Sequence, residues 1–340
     1  MLTISVVNQK GGCGKTTTAV NLAAALAERK KVALLDLDPQ SNASYHLGIK
    51  KAEEKETTYE IFDNLLENKE LNVNDFIKEI TNLLYLIPSC LELSTIEARL
   101  AKTAQGIDVL NELKESLQSN FDYLIIDSPP NLGFLTLNAL RASDFALIPI
   151  NIDIFSLEAV KNVEKIVSLM GKFIDALPSL FYLITLFDRR SSFSKNFVIR
   201  TKELLKQQLF ETIIRNNIYL REAATAGKDI FRYMKRSNGA RDYLQLAQEL
   251  EEKIKHIKAV GFSYTKEAKQ VTVAGDFNGW ALDDKFSLIR KDNLWYKKLY
   301  LPSGKYRYKF VVDGRWIHDE NNPLLQEDNF GGYNSLLILE

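Results

Sequence analysis

Apolar residues in the first three quarters of the chain fall into short continuous runs separated by stretches with helical spacing. The runs predict strands at 2–7, 32–36, 84–88, 122–127, 145–150, 180–186 and 210–214, and helices near 15–29, 92–102, 106–119, 156–171, 196–208 and 239–257. Continuous apolar strands alternating with helices predict an α/β fold, with a mainly parallel sheet covered by helices on both faces. The last helix places Tyr243, Ala247, Leu250, Ile254 and Ile257 at alternating spacings of four and three, which makes a stripe suited to docking on the sheet. After residue 258 the period shortens to two, in Gln270-Val-Thr-Val-Ala, Trp295-Tyr-Lys-Lys-Leu-Tyr-Leu, Tyr306-Arg-Tyr-Lys-Phe-Val-Val and Ser335-Leu-Leu-Ile-Leu. Turn residues separate these runs, and short strands at this spacing predict an antiparallel, immunoglobulin-like β-sandwich.

Composition sharpens the division. At 340 residues the chain exceeds what one core ordinarily organises. The last 82 residues hold 14 of the 35 aromatics and all three Trp. The reading is therefore one domain over 1–257 and a second over 258–340. Apolar residues at 46% and charged residues at 26% exclude a wholly disordered chain. Lys+Arg and Asp+Glu stand at 44 each, so any argument for an ionic partner must be local. The two cysteines, Cys13 and Cys90, make no disulfide framework and suit a reducing cytoplasm. No segment approaches the roughly 18–20 apolar residues of a membrane span, and no membrane partner is expected.

The first strand runs into Lys10-Gly-Gly-Cys-Gly-Lys-Thr-Thr and then an Ala-rich helix. A strand, a glycine loop and a helix N-terminus together build a phosphate site, because backbone N–H groups turn inward and the helix dipole favours an anion. The loop Lys10, Gly11, Gly12, Cys13, Gly14, Lys15, Thr16 and Thr17 is the expected nucleotide cradle. Lys15 would neutralise β/γ-phosphate oxygens, and the Thr16 hydroxyl would hold Mg²⁺. The run 31–40 ends the second strand on Asp36 and Asp38, and 121–130 ends an apolar strand on Asp127. Carboxylates at strand C-termini face the ligand crevice of an open α/β sheet, where Asp127 is expected to serve Mg²⁺ through water. A nucleotide and Mg²⁺ are therefore the expected ligands of this loop.

Gln9 stands where the common phosphate-loop pattern has its first Gly, and Lys10 follows it. With this second lysine the chain resembles the deviant Walker A group. With Asp36-Leu-Asp-Pro-Gln-Ser-Asn-Ala, Asp127-Ser-Pro-Pro, Thr185-Leu-Phe-Asp-Arg-Arg, Ile214-Arg-Asn-Asn-Ile-Tyr-Leu-Arg-Glu-Ala and Gly239-Ala-Arg-Asp-Tyr, residues 1–257 resemble a ParA-type partition ATPase. The resemblance implies a homodimer formed on ATP, in which Lys10 reaches the partner subunit's phosphates. It implies hydrolysis of ATP to ADP and phosphate with Lys10, Lys15 and Asp38 as catalytic residues, Asp38 orienting the attacking water. It also implies stimulation by a ParB-like partner and ATP-dependent binding to DNA without sequence preference, hence a cytoplasmic, nucleoid-associated protein. The chain begins at the phosphate loop, without the helix-turn-helix of the longer members, so operator reading is not expected. Ile214 departs from the family's Pro. Cluster cysteines, a basic membrane helix and a terminal tyrosine cluster, which mark other branches of the group, are not found.

Charge agrees with a nucleic-acid partner. Residues 185–241 hold 13 Lys/Arg against 5 Asp/Glu. Arg189, Arg190, Arg215, Arg221, Lys235 and Arg236 are the candidates for phosphate contacts. The aromatic tail resembles the glycogen-binding module of the AMP-activated kinase β subunit, through Val273-Ala-Gly-Asp-Phe-Asn-Gly-Trp, the run 301–319 and Asn329-Phe-Gly-Gly-Tyr-Asn. That resemblance implies a platform of Trp280 and Trp316, with Lys309 and Asn334 bonding sugar hydroxyls and Phe330 as an apolar wedge. Gly332 replaces a polar residue common in such modules. Two readings stand: a DNA-partitioning ATPase whose tail binds α-glucan or a protein partner, and a carbohydrate-binding regulator or positioner of glycogen-containing bodies with no role in DNA segregation.

Overall fold

The computed structural model describes residues 1–50, 54–103, 106–153 and 156–340. The apolar runs form β1 (Leu2–Val6), β2 (Val32–Asp36), β3 (Lys78–Thr81), β4 (Leu84–Ile87), β5 (Tyr123–Asp127), β6 (Phe145–Asn151) and β7 (Ser179–Thr185). They make one sheet in the order β3-β4-β2-β5-β1-β6-β7. β1 pairs in parallel with β5 and β6, and β2 with β4 and β5, while the edge hairpin β3–β4 is antiparallel. The helices are α1 (Lys15–Leu26), α2 (Asn42–His46), α3 (Thr58–Leu66), α4 (Ile96–Leu100), α5 (Val109–Leu117), α6 (Phe134–Ala142), α7 (Ser156–Met170), α8 (Ser192–Leu205), α9 (Ile218–Thr225), α10 (Ile230–Met234) and α11 (Asn238–Lys255).

Alternate strand residues face opposite sides, which explains why these strands are apolar throughout. Ala33, Leu35, Leu124 and Ile126 share a core with Ile61 and Phe62 of α3, Leu110 and Leu113 of α5, and Leu135 and Ala139 of α6. Their neighbours Leu34 and Ile125 are equally buried on the other face, where α1 packs against β1, β2, β5 and β6. Each such Leu or Ile contributes roughly 1.5–3 kcal/mol of burial.

Several expected elements differ. Residues 210–214 form no strand: Phe210 and Ile214 donate to Tyr182 and Ile184, but the amides of Glu211 and Thr212 turn instead to the Glu249 carboxylate (2.7 and 2.8 Å). The segment expected as one helix at 92–102 is a 3₁₀ turn followed by α4. The helix expected from 196 starts at Ser192, because the Ser191 hydroxyl caps it by accepting the Ser194 N–H (3.3 Å). The last helix stops before Ile257, which pairs with Pro302 as the first residue of a strand.

The chain folds as two compact units, residues 1–163 with 180–250, and residues 164–179 with 251–340. The second contains β8 (Ile257–Tyr264), β9 (Val271–Gly275), β10 (Ile289–Lys291), β11 (Leu294–Pro302), β12 (Gly304–Val312), β13 (Arg315–Ile317), β14 (Leu325–Glu327) and β15 (Tyr333–Leu339). One sheet runs β10-β11-β8; the other runs β13-β12-β15-β14, with β9 on β12. Their pairings are antiparallel. Phe262, Leu299 and Trp295 of the first sheet and Val273, Tyr308 and Phe310 of the second share one core, so the module is a sandwich. Trp295 lies in that core, leaving Trp280 and Trp316 for the surface.

Candidate functional site

β1 ends at Val6 in the middle of the sheet, flanked by β5 and β6, so the loop after it opens at the carboxyl edge. Gly12 and Gly14 take left-handed backbone (φ 70° and 86°), a region that favours glycine. α1 begins at Lys15 with no side-chain cap, so its first N–H groups are free to meet an anion. The loop is clamped from several sides. Asn8 donates to the Pro149 carbonyl (2.7 Å) and accepts the Lys10 N–H (2.9 Å). The Thr185 hydroxyl donates to the Cys13 carbonyl (2.8 Å). Cys13 is buried, and burial pushes its thiol pKa up. Gly11 and Gly12 are exposed, Thr16 and Thr17 half-buried.

Lys15 is buried, and its ammonium donates to the Lys10 carbonyl (3.0 Å). The Lys10 ammonium forms an ion pair with Asp153 of the same chain. Asp153 also accepts from Asn151 Nδ2 (2.8 Å). The Lys10–Asp153 pair had no signal in the sequence, because the two residues are 143 positions apart.

Register places Asp36 directly opposite Asp127 on neighbouring parallel strands. Both carboxyls are fully buried. Asp36 accepts from the Ser44 N–H and hydroxyl (2.8 and 2.7 Å) and from the Asp38 N–H (3.2 Å). Burial pushes its pKa up to about 7, with these hydrogen bonds opposing. Among the described residues neither oxygen of Asp127 has a hydrogen-bond partner of good geometry, although the Thr16 hydroxyl is near enough to lower its pKa. Burial first, and then Asp36, hold its pKa well above the usual carboxylate range. Asp38 accepts the Gln40 N–H (2.9 Å), and burial raises its pKa, with Lys15 among the groups opposing. An orphaned buried carboxylate beside the Thr16 hydroxyl fits Mg²⁺, a hard cation that takes oxygen ligands and keeps several waters. Among the described residues no cluster of three or more His, Cys, Asp or Glu could hold a metal.

The basic candidates fall on connected segments. Phe187 donates to the Ile214 carbonyl and accepts from Asn216, which sets the loop of Arg189 and Arg190 beside Arg215. That strip leads into α9 with Arg221, and α9 packs on α10, which precedes Lys235 and Arg236. Arg189 and Arg236 are exposed, with no ion pair among the described residues. Arg190 is exposed and bonds its neighbour Asp188. Arg221 is exposed and touches Asn216, and Lys235 pairs with Glu28 (3.0 Å). Arg215 differs: its guanidinium is forked on buried Asp242, which also accepts its backbone N–H (3.0 Å).

The second unit carries a cleft of about 560 Å³ lined by Trp280, Trp316, Lys309, Phe330 and Asn334, which brings all five expected residues together. The Trp280 and Trp316 rings lie 6.1 Å apart at 41°. Trp316 is 45% and Phe330 95% exposed, whereas Asn334 is buried. Lys309 forms an ion pair with Asp328. Asp328 also accepts the Phe330 and Gly332 N–H groups (2.8 Å each) and so shapes the wedge loop. Lys309 first, then these amides, hold its pKa down to about 2. A Cβ added at Gly332 would lie 3.1 Å from the Asp328 carboxylate, so Asp328 fills the space of the missing side chain. The sequence reading missed Asp328, Arg307 and Glu327 of this lining. Alternation along β12 would have put Arg307 on the same face as Lys309.

A family described as an AAA domain matches residues 1–177, and one described as the glycogen recognition site of AMP-activated protein kinase matches residues 258–340. The sporulation initiation inhibitor protein Soj of Bacillus subtilis is 39% identical over 250 residues, covering 73% of this chain and 97% of its own. The chromosome partitioning protein ParA of Myxococcus xanthus is 38% identical over 251 residues, covering 73% and 87%. An ATP complex of a McdA variant from Cyanothece superposes with a TM-score of 0.65 at 25% identity, covering 74% of this chain and 95% of that one. With a two-lysine phosphate loop at the centre of the sheet and these relatives across three quarters of its length, the chain belongs to the ParA/Soj family of P-loop partition ATPases and carries a glycogen-recognition-type module at residues 258–340.

Proposed function

We propose that this protein is an ATP-dependent positioning switch. Its ATPase domain, residues 1–257, closes into a homodimer around ATP and Mg²⁺, binds DNA without sequence preference, and releases it after hydrolysis to ADP and phosphate. The observation that carries this reading is the pair of lysines on one phosphate loop, Lys15 near enough to Asp38 and Asp127 to lower the pKa of both and Lys10 held beside it through its carbonyl. Lys15 and the loop amides bind the triphosphate. Thr16 and Asp127 hold the metal, and Asp38 orients water. Lys10 supplies the second positive charge at the dimer interface. Arg189, Arg190, Arg221 and Arg236 contact DNA phosphates, which associates the protein with the nucleoid, and a ParB-like partner stimulates hydrolysis.

The module at 258–340 binds α-glucan and makes a glucan-bearing body the cargo. The cleft supports this through its chemistry. Two tilted indoles offer apolar faces to sugar C–H groups, and the cations of the lining are neutralised in the Lys309–Asp328 and Arg307–Asp276 pairs, while Glu327 adds a further carboxylate. Such a lining suits a neutral polyhydroxyl ligand better than an anion. The test measures binding to random duplex DNA with ATP, ADP or no nucleotide across salt, together with sedimentation on amylopectin. The expected result is salt-sensitive DNA binding with ATP alone and amylopectin binding that Trp316→Ala abolishes. DNA binding indifferent to nucleotide would overturn the switch. Amylopectin retention unaltered by Trp316→Ala would overturn the glucan cleft.

A further inference from the structure

We infer that Asp276 is the positioning residue of the aromatic cleft and that Arg307, which it holds, adds a hydrogen-bonding subsite for glucose hydroxyls beside the two-ring platform. The inference rests on reading the cleft as an α-glucan site.

One carboxylate organises both neighbours. Asp276 Oδ1 accepts from the Trp280 indole Nε1 (3.1 Å) and from Arg307 Nη2 (3.0 Å). Oδ2 accepts from Arg307 Nε (3.0 Å) and from the Arg307 backbone N–H (2.8 Å). The loop is built to bring Asp276 this close. A Cβ at the preceding Gly275 would meet the Arg307 carbonyl oxygen at 2.4 Å and the Phe277 ring at 2.9 Å, so only glycine lets the turn lie against β12.

Trp280 itself sits in left-handed backbone (φ 62°). That region is rare for a bulky residue and persists only when the surroundings over-determine it. Its amide donates to the Gly275 carbonyl (2.9 Å) and to Asn278 Oδ1 (3.1 Å). Backbone bonds therefore aim the side chain, and Asp276 sets the rotation of the ring. Without that carboxylate the half-buried indole has a free N–H and a free rotor, and the angle to Trp316 is no longer held.

Arg307 lines the same cleft and lies two residues before Lys309 on β12, hence on the same face. A guanidinium carries five N–H donors. Asp276 takes one on Nε and one on Nη2, which leaves three. Because Asp276 compensates its charge, the free edge acts as an oriented donor array for neutral hydroxyl oxygens. Glu327 in the same lining offers acceptors. A glucan chain crossing the platform would thus be read by donors from Lys309 and Arg307 as well as by stacking.

The experiment uses the full chain, maltoheptaose as probe, calorimetric affinity, and the indole N–H resonances of the three tryptophans, with Trp280→Phe assigning one. Asp276→Ala is expected to weaken maltoheptaose binding roughly tenfold, the loss of about one charge-assisted hydrogen bond, and to move the Trp280 resonance while leaving that of Trp295 in place. Asp276→Asn keeps an acceptor for the indole and is expected to recover part of both effects. Arg307→Gln is expected to weaken binding severalfold with the Trp280 resonance unmoved. An Asp276→Ala protein with wild-type affinity overturns the positioning role, and an Arg307→Gln protein with wild-type affinity overturns the subsite. If Trp316→Ala abolishes binding but neither variant alters it, the inference alone fails. If the wild-type chain binds no maltoheptaose, the glucan reading fails and takes the inference with it.

Discussion

The ammonium of Lys10 is paired with the carboxylate of Asp153 in its own chain, while the carbonyl of the same lysine accepts from the ammonium of Lys15. The residue proposed to reach a partner's phosphates is thus held in cis. Both side chains are about a quarter to a third exposed, so the pair is partly screened and exchangeable. Lys10→Ala should abolish ATP-driven dimerisation while leaving monomer nucleotide binding partly intact. Asp153→Asn should raise the dimer fraction at limiting ATP. Light scattering coupled to size exclusion reads both, and an unaltered dimer in Lys10→Ala would refute the assignment.

Asp38 stands at the crevice with its carboxylate bonded to the Gln40 amide and to the Asn42 side chain, both close by in the sequence. If it orients the attacking water, Asp38→Ala should slow hydrolysis by about 10²–10⁴ and prolong residence on DNA in ATP. Single-turnover hydrolysis and dissociation from immobilised duplex check this. Fast release from DNA in ATP would remove Asp38 from the catalytic role.

Asp36 predicts a pH dependence of stability. Burial raises its pKa from about 3.9, the ordinary value, to about 7 in the folded chain. The folded state then binds a proton that the unfolded chain releases. The stabilisation is complete below about pH 4 and is lost as pH rises through 7. Thermal melts without nucleotide should therefore show Asp36→Asn flattening the fall in stability between pH 5 and pH 8. A wild-type slope in the variant would count against the buried, protonated carboxyl.

Arg215 and Arg189 should separate stability from DNA binding. Arg215→Ala leaves the buried carboxylate of Asp242 uncompensated, which should cost about 2–4 kcal/mol in urea melts. Arg189→Ala should leave the melt unaltered and lower the salt slope of DNA binding by about 1. Equal effects of the two substitutions on both measurements would contradict the division.

Lys297 is a fully buried lysine whose ammonium donates to the carbonyls of Gly171 (2.9 Å) and Ile174 (3.0 Å), capping the end of α7 inside the second unit. Lys297→Met keeps the volume but orphans buried carbonyls and should destabilise that unit by about 1–3 kcal/mol. Lys297→Ala adds a cavity and should cost more, about 2–5 kcal/mol. Chemical unfolding followed by tryptophan emission reads both, since all three tryptophans lie in this unit. A Met variant as stable as the wild type would show that the cap contributes nothing.

Local patterns carried much of this molecule. Continuous apolar runs foretold β1, β2, β4, β5, β6 and β7, because a strand buried on both faces has no polar side to show. Two lysines, three glycines and two threonines within eight positions marked the phosphate loop, since its chemistry is local to one turn. The tryptophan, lysine and asparagine positions of the cleft were legible from motifs for the same reason. What the linear order could not supply were relationships made by chain reversal: Lys10 with Asp153, Asp36 opposite Asp127, Arg215 locked on Asp242, Asp276 gripping Arg307, and Lys297 capping a helix. Each joins residues from about 27 to 143 positions apart. Their meeting depends on strand order and register, and those are settled by which buried surfaces pack together rather than by any neighbouring sequence. The same physics undid the strand expected at 210–214: its apolar pattern was right for burial, but a carboxylate from a distant helix captured the amides a strand would have used.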